Sequence, residues 1–249
     1  MSDPIHQFVV TPIGEPLELF GYDVSFTNSS LWMVIAAVFS ITLLTIGMRK
    51  NLMIPGRTQM AAELFYEFIS KTLNENTGVK GRPYFPFVFT IFTFILTCNV
   101  LGLIPHSFTP TSHLIVTAAL SVTIFVSVIG LGVYNHGLKW FSMFVPSGVP
   151  WILMPFIIAL ELISFFVRPL THSVRLFANM MAGHMMLKII IGFSVTIASA
   201  GSFWTLFGLF PAAFDAIMLA FELFIAGLQA YVFAILTCIY LKDSIDIHH

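Results

Sequence analysis

The chain has 249 residues, of which 57% are hydrophobic and 9% charged, with 27 phenylalanines and a formal net charge of -1. Soluble domains carry about 25% charged residues, so this composition excludes an ordinary water-soluble globule, and no basic surplus argues for nucleic acid. Mean hydropathy is +0.92, and apolar runs long enough to cross ~30 Å of hydrocarbon recur along the chain, which makes it an all-α polytopic membrane protein.

Residues 1–20 contain no Lys or Arg and no cleavage-site pattern, which argues against a signal or transit peptide. The first span is expected over 31–48, closed by Arg49-Lys50, with Pro55-Gly56 as a break beyond it. Residues 58–76 place Met60, Leu64, Phe65, Phe68, Ile69 and Leu73 at helical spacing, with Glu63, Glu67 and Lys71 between them. That pattern predicts an amphipathic helix lying along the membrane surface. A second span is expected over 85–104, an uncharged turn over 105–112, and a third span over 114–133. Cys98 and Cys238 fall in separate apolar segments and read as small buried hydrophobes.

Two apolar stretches follow, 151–198 and 204–241, with Ala200-Gly201-Ser202 as the turn between them. Each is much longer than the ~20 residues a perpendicular helix needs. A continuous helix of that length would reach ~57 Å, so the expectation is a long, strongly tilted antiparallel hairpin. The whole is about five membrane-crossing helices plus one amphipathic surface helix in a single membrane domain, 1–249. Residues 1–30 form an external N-terminal segment, 31–150 peripheral helices, and 151–249 an ion-translocating hairpin and C-terminus. Arg49, Lys50, Arg57, Lys71, Lys80 and Arg82 crowd the loop after the first span. The positive-inside rule makes that loop cytoplasmic. Five crossings then put the N-terminus outside, the C-terminus and Lys139 inside, and both uncharged turns outside.

The hairpin also holds Glu161, Arg168, His172, Arg175, Asn179, His184, Lys188, Asp215, Glu222 and Gln229. Ionisable groups at membrane depth mark ion or proton pathways by default. Glu161, Arg168, His172, Arg175 and Asn179 keep to one helical stripe, and Asp215, Glu222 and Gln229 repeat every seven residues. Folding at Gly201 pairs residues whose numbers sum to about 402. Arg175 then comes level with Gln229, Lys188 with Asp215 and Glu161 with Lys242, while His184 and Glu222 are offset by one turn. Arg168 alone lacks a partner, and it sits just before Pro169, where it is able to snorkel to the surface. Ala178, Ala182, Gly183, Ala226, Gly227 and Ala230 allow close helix approach.

His184 and Glu222 are able to relay protons, whereas a guanidinium stays charged in any protein environment. Placing one at the bilayer centre costs at least ~2.5–3.5 kcal/mol. His184 and Glu222 lie on the outer side of Arg175, and Glu161 lies ~21 Å of helix away on the other. The layout reads as two titratable paths separated by a fixed charge. Asp215–Lys188 reads as a structural ion pair and His172 as a core histidine. His106, His113 and His136 sit at span ends, and His248-His249 alone is too little for a metal site.

At these residues the chain resembles subunit a of the F-type ATP synthases. The matching pieces are Asn99-Val100-Leu101-Gly102-Leu103-Ile104-Pro105 and Arg175-Leu176-Phe177-Ala178-Asn179-Met180-Met181-Ala182-Gly183-His184, followed by Leu228-Gln229-Ala230-Tyr231-Val232-Phe233 and Leu236-Thr237-Cys238-Ile239-Tyr240-Leu241. The resemblance covers nearly the whole chain. It implies a non-catalytic, proton-conducting stator subunit with no cofactor and no metal. Its partners would be the c-subunit rotor ring, the b subunits of the peripheral stalk, the soluble catalytic head and membrane lipid. Arg175 would face the ring's carboxylates, with Asn179 and Gln229 lining the contact. His184 and Glu222 would serve the outer half-channel and Glu161 the cytoplasmic one, with Asp215, Lys188 and His172 in support.

Many bacterial members carry Glu at the position of His184 and His at that of Glu222. The exchange seen here resembles mitochondrial members and implies a bacterial inner membrane of a mitochondrion-like lineage, or the mitochondrial inner membrane. Three other classes fit less well. Haem ligation by His172 and His184 conflicts with the charge crowding that helix. No protease motif is present. A self-contained channel or carrier is open on physics alone, though the lack of an evident internal repeat argues against a secondary transporter.

Overall fold

The computed structural model describes residues 8–13, 18–19, 22–23, 25–48, 56–104, 107–145, 150–199 and 204–245. Arg49, Lys50, Pro55, Pro105, His106, the turn at 200–202 and His248-His249 lie outside the described residues. Six α-helices carry the chain: α1 (Asn28–Met48), α2 (Arg57–Thr77), α3 (Phe85–Gly102), α4 (Leu114–His136), α5 (Met154–Ser199) and α6 (Trp204–Ile245). Turns of 3-10 helix precede α3 (Val79–Tyr84) and follow α4 (Gly137–Phe144). The five segments expected to cross are those that are long and apolar enough to do so, and α2 is not among them. Before α1, two-residue strands β1 (Glu18–Leu19) and β2 (Tyr22–Asp23) pair antiparallel.

The chain divides into two compact units, one of residues 1–41, 94–113 and 176–230, the other of 42–93, 114–175 and 231–249. In the first unit, Asn28 ties the N-terminal segment to the start of α1. Its side chain donates to the Val9 carbonyl (3.1 Å) and accepts from the Thr11 N–H (3.2 Å). Ser40 of α1 meets Thr97 of α3 at 2.8 Å, and Asn99 of α3 donates to the Ala226 carbonyl of α6 at 3.3 Å. Near the hairpin turn, Ser194 of α5 donates to the Gly208 carbonyl of α6 at 2.7 Å.

In the uncharged turn after α3 every residue from 107 to 112 is buried. A polar loop is buried at low cost only when its groups are bonded. Ser107 supplies a hydroxyl to the carbonyls at the end of α3, lying 2.8 Å from that of Leu101 and 2.7 Å from that of Ile104. Thr111 donates to Asn99 Oδ1 at 2.9 Å, and Ser112 to the Thr109 carbonyl at 2.6 Å.

In the second unit, Trp140, Phe144 and Phe165 form a core against which Phe125 and Ile129 pack. Phe144 and Phe165 meet edge to face at 5.2 Å, an arrangement that aromatic quadrupoles favour. Ser121 of α4 donates to the Pro169 carbonyl of α5 at 2.7 Å. The end of α6 is tied to α4 by Ser244, which donates to the Val128 carbonyl (3.0 Å), and by His136 Nε2, which donates to the Ile245 carbonyl (3.0 Å). On α2, Ala62, Ile69 and Leu73 are buried while Met60, Leu64 and Phe68 remain exposed. The expected apolar stripe is therefore split, and only half of it packs within the chain.

Candidate functional site

Gly183, His184 and Glu222 form the centre of the first unit's polar cluster. His184 and Glu222 project from α5 and α6, both buried, with Nδ1 3.7 Å from Oε1. The one-turn offset expected between them closes without difficulty. Apart from that approach, both Glu222 oxygens are buried without a hydrogen-bond partner. Gly183 leaves the room they occupy, since a Cβ there would stand 2.5 Å from Oε1. His184 Nε2 lies 3.0 Å from the hydroxyl of Thr109 on the buried loop.

Farther along, Asn179 Nδ2 donates to Gln229 Oε1 at 3.1 Å. The facing rule assigns Gln229 a level at residue 175, so the observed partner lies one turn away. Near the turn, Ser194 and Gly208 obey the rule. By His184–Glu222 and Asn179–Gln229 the two helices have slipped about one turn against it, because a rule built on straight, parallel axes ignores their axial offset. Lys188 places its ammonium 5.3 Å from the Phe8 ring. Asp215 is half-buried, with Oδ1 accepting no hydrogen bond.

The second unit holds Glu161, Arg168, His172 and Arg175. Arg168 has the partners the facing rule denied it: Asp243 Oδ2 at 3.1 Å and Glu161 Oε1 at 3.8 Å. Its guanidinium also stands 5.5 Å from the Tyr240 ring centroid, a cation–π distance. Two expectations are thereby corrected. Glu161 pairs along its own helix with Arg168 and not across to Lys242, because residues seven apart share a helix face. Arg168 is anchored by carboxylates instead of snorkelling alone. His172 is buried edge-on against the Phe233 ring, and neither of its ring nitrogens has a hydrogen-bond partner.

Arg175 stands apart from Arg168, His184 and Glu222, each of which has a charged or titratable neighbour at hand. Its side chain is exposed, and among the described residues it has no hydrogen bond and no ion pair. The neighbouring row on α5, Ile163, Val167, Leu170 and Val174, is exposed and apolar, while Arg175 itself continues the stripe of Glu161, Arg168 and His172. Among the described residues, no three His, Cys, Asp or Glu side chains gather as a metal site.

Sequence reasoning missed Thr109 and Asp243. The signal for Thr109 was the density of hydroxyls in 107–112, more than an outward turn needs. For Asp243 it was the need of Arg168 for a counter-charge.

Five helices long and apolar enough to cross a membrane define an integral membrane protein. The family model for the ATP synthase A chain matches residues 30–242, and the chain belongs to that family, the membrane-sector subunit a of the ATP synthase. It is 46% identical to the ATP synthase subunit a of Pelagibacter ubique over 248 residues, covering 100% of this chain and 99% of that one. It is 47% identical to that of Parvibaculum lavamentivorans over 247 residues (99% and 95%), and 46% identical to that of Rhizobium johnstonii over 244 residues (98% and 97%).

Proposed function

We propose that this chain is the stator subunit of a rotary ATP synthase, conducting protons through two offset half-channels to and from carboxylates on a ring of c subunits. One observation carries the reading: Arg175 is exposed beside an apolar helix row and has no counter-charge among the described residues. An unpaired guanidinium at membrane depth is costly, and a carboxylate on a partner would relieve that cost. Asn179 and Ala182, one and two turns farther along α5, keep that side of the helix small or neutral. A rotor helix thereby finds room to pass.

In this reading the partner's carboxylate is deprotonated while it faces Arg175 and must take up or release its proton on either side. Arg175 cannot itself relay a proton, so it blocks direct passage between the paths. The buried His184–Glu222 pair serves the outer path, with Asp215 and Lys188 setting the local charge. Glu161, held by Arg168, serves the cytoplasmic one, and Asn179 with Gln229 forms the neutral lining of the contact. His172 is a packing residue. The subunit has no catalytic site of its own; ATP chemistry belongs to the soluble head, which the b subunits brace against it. The chain would sit in a bacterial inner membrane with its N-terminus outside, as the basic residues between α1 and α3 and the bacterial relatives support.

The test is ATP-driven acidification of inverted membrane vesicles carrying Arg175→Ala. Pumping is expected to vanish while the complex stays assembled and its head still hydrolyses ATP. Undiminished pumping would show the charge to be structural and would overturn the reading.

A further inference from the structure

Thr109 lies at the meeting point of α3, α5 and the buried loop, and the roles above leave it without a function. Its hydroxyl is buried, 3.0 Å from His184 Nε2 and 3.3 Å from the Gly102 carbonyl. A hydroxyl has one proton and two lone pairs. Where that proton goes decides the state of the imidazole.

Where α3 ends, the Leu101 and Ile104 carbonyls accept the N–H groups of Ile104 (3.2 Å) and Ser107 (3.0 Å), while the Gly102 carbonyl is approached by the hydroxyls of Ser107 and Thr109. Ser107 has one proton and lies within 3.0 Å of the carbonyls of Leu101, Gly102 and Ile104, with Ile104 the nearest at 2.7 Å. The Gly102 carbonyl is then left to Thr109. The approach is built in: a Cβ on Gly102 would stand 2.6 Å from Thr109 Oγ1. With its proton on the Gly102 carbonyl, Thr109 offers His184 only a lone pair, so Nε2 must carry the hydrogen. Nδ1 of the neutral ring is then the bare nitrogen, and it is the one that points at Glu222 Oε1.

We infer that Thr109 is a positioning residue that fixes the tautomer of His184, so that Nδ1 presents its lone pair to Glu222 and takes the acid's proton when the two close from 3.7 Å to hydrogen-bond distance. The inference rests on the proposed proton-conducting role of that pair. In that step the Glu222 O–H bond breaks as the Nδ1–H bond forms. A neutral acid and a neutral imidazole become a carboxylate and an imidazolium, with no change in total charge. If the ring instead carried its hydrogen on Nδ1, it would have no lone pair for the Glu222 proton, and transfer would require the ring to flip. The other charged groups acting on the pair are Lys188, one turn along α5, and Asp215, two turns along α6. The loop adds His113, stacked on Phe108, and α3 adds the uncharged amide of Asn99.

The experiment uses the whole complex in inverted vesicles and measures the pH profile of ATP-driven pumping for Thr109→Val, Thr109→Ser and Thr109→Cys. Val keeps the volume and loses the acceptor, Ser keeps the hydroxyl, and Cys keeps the packing with a weak acceptor. Val is expected to slow pumping at least about tenfold and to move the profile by roughly half a pH unit or more. Ser should match wild type and Cys should move in the direction of Val. A wild-type rate and profile for Val would overturn the inference, as would Val and Ser impaired alike. Should Val not assemble, a wild-type profile for Cys overturns it equally. His184→Gln separates this from the wider reading, because normal pumping by that variant removes the pair from the path whatever Thr109 does.

Discussion

The Glu222 carboxyl occupies the space above Gly183, where a Cβ would stand 2.5 Å from Oε1. Gly183→Ala must therefore move the carboxyl, the flexible end of the Glu222 side chain, out of its place beside His184. We expect proton pumping to fall at least about tenfold in assembled complexes, as the carboxyl is pushed from His184. Adding Glu222→Asp, which withdraws the carboxyl by one methylene, should recover part of the loss. Normal pumping by Gly183→Ala alone would show that the close approach is dispensable.

Arg168 is held more tightly by Asp243 than by Glu161, at 3.1 Å and 3.8 Å. The two carboxylates are 38% and 41% exposed, so each pair is worth at most about 1 kcal/mol. Double-mutant cycles on the melting of the detergent-solubilised complex should give a larger coupling for Arg168→Ala with Asp243→Asn than for Arg168→Ala with Glu161→Gln. Equal couplings would mean that the geometric preference has no energetic weight.

Gln229 is buried, and its oxygen accepts from Asn179 across the hairpin. Replacing one partner strands the other inside the protein, which costs about 1–3 kcal/mol. Gln229→Leu should lower thermal stability, and Asn179→Leu in the same chain should restore much of it, since two apolar groups of similar shape leave nothing unpaired. Additive losses in the double variant would argue against direct coupling.

His113 lies between α3 and α4, and burial pushes its pKa below the ordinary 6.5. The folded state therefore resists the proton that the unfolded chain accepts. Above about 6.5 the histidine is neutral in both states and has no effect on the pH slope. As pH falls below that value the unfolded state binds more protons, so stability declines until the folded pKa is reached. Melting temperatures measured from pH 8 to 5 should fall in wild type and fall less in His113→Phe, which keeps the stack on Phe108. Parallel curves for the two chains would remove His113 as a source of acid lability.

Much of the molecule is legible in residue order. The five long apolar segments and the amphipathic α2 lie close to their expected places, because apolar length and helical period are properties of the sequence alone. The acid–imidazole pair is also legible, since seven-residue spacing places Glu222 and Gln229 on the face of α6 that meets α5. The partners of Arg168 are not. Periodicity sets which face a side chain occupies, while its level against a neighbour depends on the axial shift of two helices, and no local pattern encodes that shift. The burial of the loop at 107–112 is illegible for another reason. Serines and threonines between apolar runs have the composition of an exposed turn, and only the carbonyls they meet show that they are buried.

Residue order by itself determined the membrane class, the number and length of the helices and the charged stripes on the hairpin; of the two glycines expected at close helix approaches, Gly183 meets one and Gly227 has nothing within 4 Å. These follow from the free energy of moving each side chain out of water and from the 3.6-residue turn. The tertiary structure alone decided that Asn179 meets Gln229, that Arg168 lies between Glu161 and Asp243, and that Thr109 reaches His184. Hydrogen bonds and ion pairs act over about 3–4 Å, so a one-turn slip of 5.4 Å along a helix is enough to exchange one partner for another.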